Sequence, residues 1–275
     1  MIQLCSLWDS AYHIKGLALI ESLRRHVPEF ALYVLALDDK VQDYFAEHTI
    51  SGVVPVYPSE IESPDVLAAK ANRNHTEYCW TLASVLVSFC FDQFRLPSIA
   101  YMDADCFVFS DLSPLYAEIG NAPVAVTPHR WTPYQKARLH SAGIYNVGWV
   151  YFGNGGRDCL DEWRDSCLEW CYWRVEPDGR FADQGYLNDW PEWWGAHVVQ
   201  HLGANLAPWN QEQYTYRVNG NLLVVSDGKR ADPLLFYHFH GYSEKMQTGY
   251  PLHPSVAKHV YEPYEETCKQ LQAAG

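Results

Sequence analysis

Short apolar runs alternate with amphipathic stretches from the first residue onward. Ile2-Gln3-Leu4-Cys5-Ser6-Leu7 reads as a strand, the spacing of apolar positions from Gly16 to His26 as a helix, and Ala31–Leu37 as a second strand. That order is a βαβ unit opening a mostly parallel sheet. A short strand over Gly52–Tyr57 follows, and a long amphipathic helix from Thr76 to Phe94 leads into the apolar run Ile99-Ala100-Tyr101-Met102. This strand is reached through a crossover helix, and ligands of open α/β sheets gather at the carboxyl ends of such strands. Beyond Asp111 the pattern loosens. Strand-like Val124–Thr127 and Tyr145–Phe152 flank a Pro-containing connector, and a helix near Arg157–Trp173 precedes the segment Phe181–Trp190 and an aromatic block to Trp194. Strands near Leu222–Ser226 and Leu234–Phe239 and a helix over Glu262–Ala273 complete the chain. No repeat or low-complexity linker divides it. The pattern predicts an α/β fold in one domain over 1–275, a mixed, mostly parallel sheet flanked by helices with a more irregular, more antiparallel second half.

At 275 residues and 48% hydrophobic content the chain supports a substantial core. Its formal charge is −13, with no large basic cluster, so it lacks the electrostatic footprint of a nucleic-acid or anionic-membrane binder. A phosphorylated ligand therefore calls for a metal. The first residues form a strand rather than a basic segment followed by an apolar one, and no run approaches about 18 apolar residues. The expectation is a cytoplasmic protein without a transmembrane segment. The eight cysteines lie inside apolar patterns without C-x-x-C pairs and read as reduced core thiols. Trp at 11, Tyr at 19 and Phe at 11 are numerous, and rings of this kind offer flat faces to sugars or bases. Trp190, Trp193, Trp194 and Trp209 are candidates for an acceptor side, with His201–Asn210 as a loop over the site.

Four short elements carry chemistry. Met102-Asp103-Ala104-Asp105 delivers two carboxylates one residue apart at the end of an apolar run; on a strand, residues i and i+2 share a side, so both address one hard cation. Phe236-Tyr237-His238-Phe239-His240-Gly241 ends an apolar strand with two histidines at the same spacing. A neutral imidazole completes a carboxylate site for Mn²⁺, which accepts mixed oxygen and nitrogen ligands more readily than Mg²⁺. Either histidine suits, His238 or His240. Asp183-Gln184 opens a short helical segment, as an N-cap or as a functional pair. In Asn146-Val147-Gly148 the glycine permits close backbone approach and the amide offers hydrogen bonds to hydroxyls.

Taken in order, Ala11-Tyr12 and Lys15-Gly16 after the first strand, then Met102-Asp103-Ala104-Asp105, Asn146-Val147-Gly148, Asp183-Gln184 and His238-Phe239-His240-Gly241 resemble the glycogenin-like, family 8 type of retaining glycosyltransferase with the GT-A fold. The resemblance spans about residues 2 to 245 and implies roles by position. About 1–110 would be the nucleotide-binding half and about 111–275 the acceptor and catalytic half. Ser6, Leu7 and Asp9 would lie near the base, with Tyr12 stacking on it. Asp103 and Asp105 would bind Mn²⁺ (or Mg²⁺) and through it the diphosphate, Asp105 as the closer ligand, with Asp103 and Ala104 also on the donor. The H-F-x-G motif nominates His238 as the metal's histidine, His240 being the second choice. Asp183 and Gln184 would stand beside the reacting sugar, and Asn146 on its hydroxyls. The donor would be a nucleotide sugar, foremost a UDP-sugar, and the acceptor a glycan, lipid-linked or protein hydroxyl, as in polysaccharide biosynthesis. Two features depart from the family pattern. Trp80 through Phe94 contains no basic residue where relatives place one on the donor, so Lys70 or Arg73 would substitute from upstream. After H-F-x-G the chain has Lys245-Met246 in place of Lys-Pro-Trp, leaving Lys245 for a phosphate.

Three other classes compete. A sugar nucleotidylyltransferase needs a Gly-rich, basic loop after the first strand, and Trp8-Asp9-Ser10-Ala11-Tyr12-His13 is not one. A hydrolase with an Asp/Asp/His metal centre would turn over simple phosphodiesters. A non-catalytic sugar- or sugar-nucleotide-binding protein on a transferase fold is the third, since fold does not establish activity.

Overall fold

The central sheet of the computed structural model is built from β1 (Ile2–Trp8), β2 (Phe30–Ala36), β3 (Val53–Val56), β4 (Ile99–Met102), β6 (Val124–Pro128), β7 (Tyr145–Phe152) and β8 (His197–Val198), in the order β3-β2-β1-β4-β7-β6-β8. A two-stranded sheet pairs β5 (Cys106–Val108) with β12 (Phe236–His238), and a three-stranded one joins β9 (Thr215–Asn219), β10 (Leu222–Ser226) and β11 (Ala231–Pro233). The structure describes residues 1–242, 250 and 252–274.

β1, β2, β3 and β4 are parallel, as the βαβ spacing predicts, and β6 pairs with β8 in parallel. β7 runs against both of its neighbours, β4 and β6. All eight of its residues are buried, which its central position requires. The reversal has a functional consequence: it carries the beginning of β7, with Asn146 and Gly148, to the carboxyl end of β4. One face of the sheet is covered by helices His75–Gln93 and Arg157–Glu169, the other by His13–His26 and Ser113–Ile119. Among the described residues no helix is long and apolar enough to cross a membrane.

Several local expectations change. The Asp-x-Asp pair lies in a turn after β4 rather than on the strand, closed by the Cys106 amide donating to the Asp103 carbonyl at 3.0 Å. Helices Asp39–Glu47 and Pro64–Asn72 were not evident from the pattern; the Asp38 and Ser63 side chains cap them by accepting from the Val41 and Val66 amides. The third long helix stops at Glu169 rather than Trp173, because Trp170 turns to extended backbone and buries its ring. Trp190 packs in the core against Phe152 and Trp163, so it is no acceptor platform.

Glu118, on helix Ser113–Ile119, clamps the chain that follows β8. One carboxylate oxygen accepts from His197 Nε2 at 2.8 Å and the Gln200 amide at 2.6 Å, the other from the His201 amide at 2.9 Å. Burial alone would raise this carboxyl, but the bonds from Gln200, His197 and His201 outweigh it and hold it below its usual 4.5. Its stabilisation is therefore complete above pH 4.5 and is lost as pH falls through the depressed folded-state value. Glu118→Ala is expected to lose about 1–3 kcal/mol in urea denaturation near neutral pH. The gap to the wild type should narrow well below pH 4.5; a gap that stays constant would refute the clamp.

Candidate metal and donor site

Three chain segments converge on one point. The Asp103–Cys106 turn is tied to β7 by the Asp103 amide donating to the Gly148 carbonyl at 3.1 Å, and to the end of β12 by the Phe239 amide donating to the Asp105 carbonyl at 2.8 Å. Antiparallel pairing of β12 with β5 sets His238 opposite Cys106, next to Asp105. The result is a cluster of Asp103, Asp105 and His238 whose ligand atoms all lie within 4.8 Å of one another. His238 Nε2 is 3.1 Å from Asp105 Oδ1 and 3.5 Å from Asp103 Oδ2. Asp105 is the more deeply buried carboxylate and Asp103 the more open one.

Asn146 and Gly148 seat the imidazole from behind. His238 Nδ1 is 3.1 Å from Asn146 Oδ1, which also accepts from the Gly148 amide at 3.0 Å and from Asn205 Nδ2 at 3.3 Å. The acceptor at Nδ1 places a proton there, and Nε2 faces the carboxylates, donating to Asp105 while the ring is protonated and offering a lone pair once that proton leaves. A Cβ on residue 148 would lie 2.4 Å from His238 Nδ1, so the ring fits only against glycine. Asn146, expected on sugar hydroxyls, thus supports His238, and its Nδ2 donates to Gln184 Oε1 at 3.3 Å.

Charge is unevenly distributed here. Burial pushes the Asp103 carboxyl up, His238 opposes this, and Asp105 adds to it. Burial would raise Asp105 too, but His238 overrides it and holds that carboxyl well below the usual range. His238, which burial alone would lower, is held above its usual value by Asp105 and Asp103. Asp183 is buried and pushed far up, chiefly by that burial and then by Asp103; its carbonyl accepts from Trp163 Nε1 at 2.9 Å.

The cluster lines a cleft of about 420 Å³ together with Leu7, Asp9, Tyr12 and Ala104, four of the expected donor contacts, and with His240 and Gly241. Asp9 Oδ1 accepts from the Ala11 and Tyr12 amides, folding the turn after β1, and Asp9 Oδ2 is 2.7 Å from His75 Nε2. Tyr12 is 41% exposed, with Lys15 Nζ 4.0 Å from its ring centre, leaving a face for stacking. The His240 ring stands perpendicular to His238 at 5.7 Å and lies outside the metal cluster.

Other expected contacts are not brought to the cleft. Ser6 is fully buried in β1. Lys70 pairs with Glu62 and, with Arg73, lines an adjacent hollow of about 230 Å³. Arg73 is buried, donating to Thr81 Oγ1 and the Leu168 carbonyl. Gln184 donates to the Ala142 carbonyl at 2.7 Å beside its bond to Asn146. Trp209 is buried, its indole donating to the His129 carbonyl while its ring meets His238 and His240 edge-on. Lys245 lies outside the described residues.

Sequence reasoning missed His75, Thr76, Cys79, Trp80 and Trp173, which form one side of the cleft. The first four lie in the opening turns of helix His75–Gln93, and the signal for them was the capping box: Asn74 Oδ1 accepts from the Glu77 amide, and Glu77 accepts from the Asn74 amide. No local signal marks Trp173. Cys79 is no nucleophile, since burial pushes its thiol up to about 12.

No protein-family model matches the chain. It is 27% identical over 288 aligned positions to the uncharacterized protein YfnF of Bacillus subtilis strain 168, covering 97% of this chain and 91% of YfnF. The crystal structure of the galactosyltransferase LgtC with donor and acceptor sugar analogs superposes with a TM-score of 0.60 at 17% identity, covering 98% of this chain and 96% of LgtC. The glycosyltransferase GlyE of Streptococcus pneumoniae TIGR4 gives 0.57 at 16% identity, over 97% of this chain and 60% of GlyE. These likenesses establish the GT-A fold that the motif order implied. Uncharacterized YfnD of Bacillus subtilis strain 168 is 32% identical over 268 residues, 93% of this chain and 85% of YfnD, and the chain belongs to the family of that protein.

Proposed function

We propose that the protein is a metal-dependent glycosyltransferase of the glycogenin-like, family 8 type, moving a hexosyl group from a nucleotide diphosphate sugar, foremost a UDP-sugar, to an acceptor hydroxyl. The observation that carries this is the Asp103, Asp105 and His238 cluster at the edge of a cleft whose other walls are Tyr12, Asp9 and Ala104. The whole chain would act as one catalytic domain, about 1–110 holding the nucleotide and about 111–275 the reacting sugar and acceptor. Retention of anomeric configuration, a cytoplasmic setting and an acceptor in polysaccharide biosynthesis belong to the same reading.

The donor set fits a divalent cation. Two carboxylates and one imidazole, whose Nε2 becomes a donor atom on losing its proton, are the mixed oxygen and nitrogen ligands that Mn²⁺ accepts, and Mg²⁺ would be held less well by the nitrogen. Asn146 behind His238 is the outer partner that ligating histidines use to fix their tautomer. A cation so held supplies Lewis-acid neutralisation of the departing diphosphate.

The remaining roles fall to the chain itself. Tyr12 offers a ring face to the base. Asp183, kept high by burial and Asp103, would be drawn back to the ionised form by a positive sugar centre developing beside it. It then stabilises that centre electrostatically, with Gln184 holding the neighbouring chain through Asn146 and Ala142. In the reaction the anomeric C–O bond breaks with its electrons going to the diphosphate. The acceptor oxygen bonds to the anomeric carbon from the same face, and the acceptor proton passes to the leaving phosphate oxygen.

Donor cleavage by the purified protein across UDP-, GDP-, ADP- and CMP-sugars is expected with Mn²⁺ and not with EDTA, for one nucleotide. Asp105→Ala should lower it by roughly 100-fold or more. If no sugar nucleotide is cleaved, and none binds in calorimetry with Mn²⁺, the transferase reading falls and a binding protein for other sugars replaces it.

A second measurement isolates the seat of His238. Gly148→Ala is expected to weaken Mn²⁺ binding by about 10- to 100-fold in calorimetry, with a stability cost of about 1–3 kcal/mol from overpacking. Unaltered affinity in a folded variant would show that the imidazole does not contribute to the site.

A further inference from the structure

We infer that Trp80 and Trp173 are specificity-determining residues that restrict the transferred sugar to a neutral hexose or deoxyhexose and reject uronates. The inference rests on the transferase reading and adds to it the chemical class of the donor sugar. The two indoles meet edge to face at 5.4 Å, and Phe181 lies 6.4 Å from Trp80, so three rings make one continuous aromatic wall. Trp80 and Trp173 line the cleft beside the amino end of helix His75–Gln93, and Phe181 behind Trp80 precedes Asp183 by two residues in the chain.

Trp173 is held in place although it is 65% exposed. Its amide donates to Glu77 Oε1 at 2.9 Å, while Glu77 Oε2 closes the capping box of the helix that carries Trp80. Tyr172 on its other side accepts at its carbonyl from the Arg174 and Ala182 amides, which fastens the returning chain. One carboxylate therefore fixes the spacing of both indoles. An exposed indole that lines the cleft and is anchored this way offers apolar surface there, and an apolar sugar face is a ligand such a surface accommodates.

Charge sets the other half of the selection. Asp9, Asp103 and Asp105 line the cleft, and its other ionisable lining is His75, His238, His240, Tyr12, Tyr101 and Cys79. Among the described residues no Lys or Arg side chain lines this cleft. A carboxylate on the sugar would exchange water for indole surface with no Lys or Arg of the lining to pair it, a strongly unfavourable transfer. A hydroxymethyl or methyl group at that position meets no such opposition. Rejection by unpaired charge is a usual route to specificity.

The test is calorimetric binding with Mn²⁺ of matched donor pairs, UDP-glucose against UDP-glucuronate, UDP-galactose against UDP-galacturonate and GDP-mannose against GDP-mannuronate. For the nucleotide that binds, the neutral member is expected to bind at least 10-fold more tightly than its uronate. Trp80→Arg should bring the ratio to one or below, and Trp80→Phe should preserve it. Trp173→Ala, at an exposed side chain that the core does not need, should weaken the neutral sugar nucleotide about 3- to 10-fold and leave the free nucleoside diphosphate unchanged. A uronate that binds as tightly as its neutral partner overturns the inference alone. So does a Trp173→Ala variant that weakens the nucleoside diphosphate as much as the sugar nucleotide. If neither the sugar nucleotides nor the nucleoside diphosphates bind, the transferase reading falls and the inference with it.

Discussion

The site depends on a steric constraint at one residue. The His238 ring occupies the space that a side chain at 148 would fill, and the same Gly148 binds the Asp103 amide through its carbonyl and the Asn146 side chain through its amide. A backbone unit with no Cβ is therefore in contact with the carboxylate turn, the imidazole and the imidazole's support at once. Those contacts exist because β7 is reversed in an otherwise parallel arrangement around β4. Were it parallel, its first residues would lie at the opposite end of the sheet. Ligand sites of parallel sheets usually draw on loops at strand ends; here the first residues of a central strand supply the support.

Electrostatics follow from that packing. Burying Asp105 and Asp183 and half-burying Asp103 in a chain of net charge −13 costs free energy that nothing in the local sequence offsets. His238 answers for Asp105, which is held low, but Asp103 and Asp183 are both pushed up. An imidazolium is a one-proton substitute for a divalent charge. To act as a ligand it must lose that proton, so cation binding and proton release at His238 are linked. The cluster is better explained as a place for added positive charge than as a structural ion pair, because a structural pair would not need the second and third carboxyls.

Legibility in the sequence tracked the range of the interactions. The parallel opening, the crossover helix into β4 and the order of the four motifs were readable because each is a local pattern. The turn at Asp103 was not, since Met102 and Cys106–Val108 continue the apolar run on either side and periodicity does not break the strand there. Lys70 and Arg73 were drawn to the donor by their sequence distance from the cleft helix. The intervening helix Pro64–Asn72 instead turns them to a neighbouring hollow, where Glu62, Thr81 and Leu168 engage them. Asn146 was assigned to sugar hydroxyls because nothing local reveals that His238, 92 residues away, takes its carbonyl.

The tryptophans make the same point more sharply. Composition singled out the block from Trp190 onward, yet Trp190 is buried among Phe152 and Trp163, and the buried Trp209 donates to the His129 carbonyl. Trp173, in a segment with no strong pattern, is an exposed indole that lines the cleft. An indole buried by neighbouring rings loses its stacking face, whereas one whose backbone is pinned by a distant carboxylate keeps it. For Trp173 that carboxylate is Glu77, which sequence reading can identify as a helix cap but not as an anchor for residue 173. The helix start and the aromatic wall thus share one acidic side chain, and the spacing of the two indoles that line the cleft is set by a capping interaction rather than by a loop motif.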